Sequence, residues 1–258
     1  MEKKIRMENK YNNSIVDNLD LSNTLPKIEV WGDSILLGVS LDEVVDKYSI
    51  LKNNAISLCS KTLKMTIENF SKFGCTVEKG KKRLCQSLSR GNNCDVAILE
   101  YGGNDCNMLW DKISAHPERK HAPITPLKIF STQIQEIIDA LLAHGITPLL
   151  TSLPPLQPEW FLNWVSQGLD RSNILKFLGD VHYIYRHQEL YSLEISKLAI
   201  DNKCGLIDIR AAFLEYRNYY ELLCRDGMHP NEKGQLLIRK TFIDYVSNFW
   251  PNLELIRN

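Results

Sequence analysis

The strongest constraint on the fold of this chain is a short apolar run near its middle. The run extends from Val96 to Tyr101 and is bounded by Asp95 and Gly102. An apolar run of this length is typical of a parallel strand that is covered on both faces, since neither face then meets water. Further strands are predicted at 27–31, 66–71, 147–153 and 206–209.

Helical periodicity fills the segments between these strands. After Thr125, apolar side chains recur at helical steps until His144 and Gly145 end the pattern. This stripe consists of Phe130, Ile134, Ile137, Ile138 and Leu141. Other helices are predicted at 53–63, around Leu84 and Leu88, around 191–198 and, as the closing helix, from Ile238 to Phe249. Strands that alternate with helices predict an α/β fold with a parallel sheet wound in right-handed crossovers.

Length and charge exclude several classes of protein. The 258 residues allow one large domain or at most two small ones, and we expect a polar N-terminal arm over 1–25 and a single domain over 26–258. Lys and Arg number 31, as do Asp and Glu, which argues against a nucleic-acid or anionic-membrane binder. No segment has the apolar length of a membrane span, and the arm lacks the apolar region of a signal peptide. The sequence therefore predicts a soluble, cytoplasmic protein with no nucleic-acid partner.

The cysteines indicate a reducing environment. There are seven, an odd number, and no two have C-x-x-C spacing. This pattern suggests neither a zinc cluster nor a complete disulfide framework. We expect free and mostly buried thiols.

Two segments are longer than simple crossovers require, at about 107–126 and 156–191. Both follow strands and should leave the sheet at its carboxyl edge, where open α/β folds bind ligands. The second segment contains seven aromatic residues, which are Trp160, Phe161, Trp164, Phe177, Tyr183, Tyr185 and Tyr191. Two interpretations are open: the aromatic side chains form a local core beneath a long loop, or they form a cap that shapes a substrate pocket.

A serine and an Asp-x-x-His pair follow two of the predicted strands. Ser34 lies after the first strand, where a tight turn exposes its Oγ and frees its backbone N–H to bind an anion, although a helix N-cap is an equal alternative. Asp226 and His229 precede the closing helix. Their spacing lets the carboxylate contact Nδ1 and stabilise the imidazolium that forms when Nε2 accepts a proton from serine. An ordinary loop capped by Asn231 is the alternative for this pair.

Two further segments carry hydrogen-bond donors at the same edge. Asn104 follows the third strand beside glycines that let the backbone approach a ligand, and Gly74 follows the second strand. Together with the N–H of Ser34, the N–H of Gly74 and the amide of Asn104 are candidates to converge on a developing oxyanion. The alternative for Gly74 is a plain turn glycine.

In this order, the four segments resemble the four sequence blocks of the SGNH (GDSL) hydrolase superfamily. The blocks are Gly-Asp-Ser, Asn-x-Ser-x-x-Gly, Gly-x-Asn-Asp and Asp-x-x-His-Pro. The resemblance implies a flavodoxin-like three-layer fold with a five-stranded parallel sheet of order 2-1-3-4-5, and neither a metal nor an organic cofactor. It implies the following roles: Ser34 as nucleophile, His229 as base, Asp226 as its partner, Ser34, Gly74 and Asn104 as the oxyanion hole, and Asp33, Gly103 and Asp105 in support.

The resemblance thus predicts a serine ester hydrolase that acts on a small-molecule ester through an acyl-enzyme. The polar and aromatic segments favour short O-acyl esters, such as acetyl esters, of a carbohydrate or another polar alcohol, because sugars stack on aromatic faces. A lysophospholipid or an acyl thioester is the alternative substrate and requires a long apolar groove. An acyltransferase that uses the same residues and a non-catalytic binding module also stay open, as does the oligomeric state.

Overall fold

The computed structural model describes residues 25–42, 44–91 and 93–249. Apart from Leu25, the predicted N-terminal arm therefore lies outside the described residues. The end of the chain from residue 250 onward lies outside them as well.

Five strands form a parallel sheet, and two form a separate antiparallel hairpin. The strands are β1 (Ile28–Gly32), β2 (Val39–Asp42), β3 (Lys47–Ile50), β4 (Ile67–Asn69), β5 (Val96–Glu100), β6 (Thr147–Thr151) and β7 (Gly205–Ile207). The parallel sheet has the order β4-β1-β5-β6-β7. Because β2 and β3 belong to the hairpin, this is the order 2-1-3-4-5, and the predicted α/β fold is confirmed.

Helices surround the sheet and fill the two long segments. They are α1 (Ser34–Leu37), α2 (Ala55–Leu63), α3 (Val77–Ser89), α4 (Trp110–Ala115), α5 (Leu127–Ala143), α6 (Pro158–Val165), α7 (Arg171–Leu178), α8 (Tyr183–Asp201), α9 (Ile209–Leu214) and α10 (Glu232–Phe249). A 3₁₀ turn covers Tyr219–Leu222. None of the helices in the described ranges is long and apolar enough to cross a membrane.

Alternate side chains of the central strands enter different hydrophobic cores. Val30 and Ile98 pack with buried side chains of α2 and α10. Trp31 and Leu99 pack with those of α3, α5 and α8. Because both faces of β1 and β5 are covered, their sequences are apolar at successive positions rather than at every second one. This burial produces the three layers of the fold.

The cysteines and the fifth strand are both close to expectation. All seven cysteines are free, with Cys85 exposed and the other six buried. The fifth predicted strand runs two residues too far, because β7 ends at Ile207 and α9 begins at Ile209. The side chain of Asp208 accepts a hydrogen bond from Ala211 N at 3.0 Å, and this cap ends the strand by starting a helix.

The two long segments pack against each other rather than separately on the sheet. Helix α4 of the first contacts α7 of the second, and together they enclose a third core. Met108 and Ile113 enter this core from the first segment, while Phe161 and Ile174 enter it from the second. Of the seven aromatic residues, Phe161 and Tyr191 are buried, so the local-core interpretation accounts for only part of the aromatic cluster.

A β-hairpin that the sequence did not predict follows α1. Strands β2 and β3 pair with Leu41 opposite Tyr48. Gly38 ends α1 at φ +82°, and a Cβ there would lie 2.2 Å from Cβ of Asn54, so this turn requires glycine. Ser40 Oγ lies 3.2 Å from Cys224 Sγ, which docks the hairpin on the loop before α10.

Candidate active site

Ser34 is the first residue of α1, directly beyond the carboxyl end of β1. The N-cap of this helix is Asp33, whose side chain accepts a hydrogen bond from Ile35 N at 2.9 Å. Ser34 is therefore not the cap, and its hydroxyl is available for another contact. A Cβ on Gly32 would lie 2.8 Å from the carbonyl oxygen of Glu100, so glycine lets the strand turn this closely beside β5.

Asp226, His229 and Ser34 form a continuous chain of hydrogen bonds. Oδ1 of Asp226 accepts from Met228 N at 2.9 Å and from His229 N at 3.0 Å, which folds the loop into one turn. Its Oδ2 lies 2.7 Å from His229 Nδ1, and His229 Nε2 lies 2.9 Å from Ser34 Oγ. Gly227, at φ +72°, has no room for a Cβ, which would lie 2.6 Å from two backbone atoms. The loop thus brings together the three residues that the sequence predicts.

The surroundings of Asp226 keep its carboxyl group charged. Burial raises the pKa of Asp226, but the hydrogen bond and charge of His229 and the N–H groups of Met228 and His229 outweigh burial, so the pKa lies below its ordinary value. Because a carboxylate only accepts hydrogen bonds, His229 Nδ1 must carry a proton. In the neutral imidazole Nε2 is then an acceptor, and Ser34 Oγ–H donates to it.

Gly74 and Asn104 line the same cavity as Ser34. Gly74 adopts φ +65°, and a Cβ there would meet nothing within 4 Å, so its backbone borders open space. One N–H of the Asn104 amide donates to Asp33 Oδ2 at 2.8 Å, and Nδ2 lies at a longer 3.4 Å from the carbonyl oxygen of Cys75. The predicted donors therefore lie around one space, with Asp33 fixing the amide of Asn104.

Glu100 is a site residue that sequence reasoning missed. It is fully buried at the end of β5, lines the cavity, and its Oε2 accepts a hydrogen bond from Asp33 N at 3.2 Å. Burial, followed by the charge of Asp33 and a hydrogen bond to it, raises the pKa of Glu100 well above its ordinary value. Burial also raises the pKa of Asp33. A charged residue inside an apolar strand was the available signal.

The two other supporting residues have different positions. Gly103 lines the cavity, and a Cβ there would lie 3.3 Å from Asp33 Oδ2. Asp105 is fully buried outside the cavity lining, and both its carboxylate oxygens accept from Val77 N at 3.1 Å, which fixes the start of α3. Burial raises the pKa of Asp105 to about 6.

Tyr48, on the unpredicted hairpin, contacts both members of the Asp–His pair. Its hydroxyl donates to Asp226 Oδ2 at 3.0 Å, and its ring centroid lies 4.9 Å from that of His229. Phe73 lies on another side of the imidazole, with the two rings nearly parallel and their centroids 6.1 Å apart. Nothing in the local sequence around Tyr48 signals these contacts.

The cavity in front of Ser34 has a volume of about 410 Å³. Both long segments contribute to its walls: Met108 and Trp110 from the first, and Phe161, Trp164 and Leu178 from the second. Apart from the residues around Ser34, the lining is largely apolar, and three of the seven predicted aromatic residues belong to it. The cap interpretation therefore holds for these residues. Within the described part of the chain, no group of three or more His, Cys, Asp or Glu could hold a metal ion.

Comparisons with known proteins agree with this geometry. The model of the GDSL-like lipase/acylhydrolase family matches residues 30–237. The sequence has no match among curated proteins.

Solved structures share the fold at low sequence identity. The lipase/acylhydrolase from Enterococcus faecalis is 18% identical with a TM-score of 0.62, over 87% of this chain and 96% of that one. LAE5, an alpha/beta hydrolase from the metagenome of Lake Arreo, is 18% identical with a TM-score of 0.63, over 88% and 97%. The acetyl xylan esterase AlAXEase is 23% identical with a TM-score of 0.57, over 85% and 99%.

Proposed function

Since the chain belongs to the GDSL-like lipase/acylhydrolase family and is a carboxylic ester hydrolase, we propose that it cleaves acyl esters through a Ser34–His229–Asp226 triad. The observation that carries this proposal is the 2.9 Å contact between Ser34 Oγ and His229 Nε2. That nitrogen is an acceptor because Asp226 holds the other one protonated. A nucleophile, its base and the group that orients the base are then in line.

The reaction proceeds in two halves. Ser34 Oγ attacks the ester carbonyl carbon while its proton passes to His229 Nε2, and the carbonyl oxygen becomes an oxyanion held by the N–H groups of Ser34, Gly74 and Asn104. The tetrahedral intermediate collapses, and His229 protonates the departing alcohol, which leaves an acyl group on Ser34. Water then attacks this acyl-enzyme as His229 accepts its proton. The second collapse returns that proton to Ser34 and releases the acid.

The acyl group of the substrate is proposed to enter the cavity between the two long segments. The sequence predicts short O-acyl esters of a polar alcohol, and Trp164 and Tyr183 in the lining support a sugar-like alcohol. The largely apolar walls favour a second candidate, an ester with a longer apolar acyl chain, because burial of each further CH₂ contributes about 0.8 kcal/mol. The length of the acyl group separates the two candidates.

Hydrolysis of p-nitrophenyl acetate, butyrate and octanoate by the wild type, Ser34→Ala and Ser247→Ala tests both points. We expect Ser34→Ala to lower kcat by about 10⁴–10⁶-fold, whereas Ser247→Ala, at an exposed position of α10, matches the wild type. Turnover by Ser34→Ala close to that of the wild type would exclude Ser34 as the nucleophile. A steep preference for octanoate excludes the short-acyl substrate, and a preference for acetate excludes the longer one.

Two alternatives predict different results in the same preparation. A binding module does not react with a fluorophosphonate probe, whereas a serine hydrolase is labelled at Ser34. An acyltransferase yields a new ester when an acceptor alcohol is added, so product analysis separates it from a hydrolase.

A further inference from the structure

Tyr48 is held against the base side of the active site by contacts along its whole hairpin. Leu41, which faces Tyr48 across the two strands, donates its N–H to Cys224 Sγ at 3.4 Å. At the turn of the hairpin, Asp46 forms an ion pair with Arg225, the residue before Asp226. The hairpin and the Asp226–His229 loop therefore form one packed unit, although 178 residues separate Tyr48 from Asp226 in sequence.

The hydroxyl of Tyr48 completes the hydrogen bonding of the Asp226 carboxylate. A carboxylate has about four lone-pair sites, and Asp226 faces two backbone N–H groups through Oδ1. Its Oδ2 faces His229 Nδ1 at 2.7 Å and the Tyr48 hydroxyl at 3.0 Å. Asp226 is fully buried, so water does not replace a donor that is lost.

The chemistry of the phenol suits this position. Burial, followed by the charge of Asp226 and the hydrogen bond to it, raises the pKa of Tyr48. The hydroxyl thus remains a donor and does not compete with His229 as a base. Its ring also packs at 5.5 Å from Phe73 and edge-on at 5.9 Å from Trp164, which fixes the direction of the hydroxyl.

We propose that Tyr48 is a positioning residue of the catalytic base, whose hydroxyl fixes Oδ2 of Asp226 and thereby orients His229 toward Ser34. The inference rests on the proposed triad. The hydroxyl touches no reacting atom and acts only through Asp226. Because it withdraws negative charge from the oxygen that stabilises the imidazolium, it also influences the pH at which His229 gains its proton.

The test compares Tyr48→Phe with Tyr191→Phe, using p-nitrophenyl butyrate. Tyr48→Phe keeps the ring and removes only the hydroxyl. Tyr191→Phe removes another buried phenolic hydroxyl, which donates to the carbonyl oxygen of Thr125 at 2.6 Å outside the cavity lining. We expect Tyr48→Phe to lower kcat by about tenfold with little change in KM, while Tyr191→Phe keeps the kcat of the wild type.

The pH profile of kcat/KM provides the readout that a structural role would not move. Tyr48→Phe should shift the acid limb to higher pH, because an Asp226 with one donor fewer stabilises the imidazolium more strongly. The other titratable or charged groups that face the pair are Asp33, Cys224 and the Asp46–Arg225 ion pair. All of them stay in place in this variant.

Two outcomes would overturn the proposal. One is a Tyr48→Phe variant that loses thermal stability but keeps both the kcat and the acid limb of the wild type. The other is an equal loss of kcat in Tyr191→Phe, which would indicate a general effect of losing a hydroxyl. Fluorophosphonate labelling of Ser34 in the wild type is measured alongside, because its absence would refute the triad itself rather than the role of Tyr48.

Discussion

Two buried aspartates flank Ser34, and their surroundings push their pKa values in opposite directions. Asp226 lies on the side of the base, and Asp33 lies beside the amide of Asn104. Burial raises the pKa of both. For Asp226, the contacts with His229 and two backbone N–H groups outweigh burial and give a net lowering. For Asp33, the hydrogen bonds to its carboxylate do not outweigh burial, and its pKa stays raised.

The difference follows from the partner that each aspartate has. Asp226 faces an imidazole that becomes positive during the reaction, so a full negative charge there is useful. Asp33 faces a second acid, Glu100, whose pKa is raised well above its ordinary value. Because Glu100 retains its proton, this pair carries at most one negative charge near the place where the oxyanion forms. Additional negative charge at that place would oppose the reaction.

The comparison is broken most severely by Asp226→Asn. The amide keeps the shape of the side chain, but it presents an N–H to His229 Nδ1 and favours the wrong tautomer of the imidazole. We expect kcat for p-nitrophenyl butyrate to fall by about 10⁴-fold. Asp139→Asn, at an exposed position of α5, is the matched control. A loss of less than about tenfold would show that the charge of Asp226 is not needed for orienting the base.

A smaller effect is expected on the opposite side from Asn104→Ala. This variant removes one oxyanion donor and leaves the Asp226–His229 pair intact, so kcat should fall by about 10²–10³-fold with little change in KM. Steady-state kinetics with p-nitrophenyl butyrate measure the change, and Asn218→Ala, at an exposed position, serves as control. If KM rises while kcat is unchanged, Asn104 binds the ground state rather than the oxyanion.

The residues that the sequence predicted share one property, which is that their signals are local. Ser34 and Asn104 lie at the ends of strands, and Asp226 and His229 lie within one turn of each other. The parallel sheet then gathers these strand ends at one edge, so strand prediction alone brings the first two together.

Tyr48 and Glu100 were missed because their roles depend on distant partners. Strand β3, which carries Tyr48, is mostly exposed and has no apolar alternation to signal it. Its position is set by Cys224 and Arg225, far away in sequence. Glu100 lies in an apolar strand, but only the sheet register, which pairs it with Gly32, places it against Asp33. The same limit applies to the cavity, whose walls come from two segments that meet only in the folded chain.

The smallest and most specific effect concerns the pH dependence of stability, and it sharpens the contrast between the two acids. The folded protein keeps a proton on Glu100 that the unfolded chain releases above the ordinary pKa of 4.5. The free energy of unfolding therefore contains a contribution that falls as pH rises from that value toward the raised pKa of the folded state. Asp226 acts in the opposite direction, because the contribution of a lowered pKa is lost only as pH falls below 3.8.

Glu100→Gln isolates the first of these contributions, because glutamine does not titrate and its amide donates to Asp33 as the protonated acid does. Urea unfolding of the wild type and Glu100→Gln at about pH 5 and about pH 8 measures the change. The stability of Glu100→Gln relative to the wild type should rise with pH, by at most about 1.4 kcal/mol per pH unit. Glu118→Gln, in an exposed loop, should follow the wild type throughout. If Glu100→Gln follows the wild type as well, Glu100 is ionised in the folded protein, and both sides of Ser34 then hold charged carboxylates.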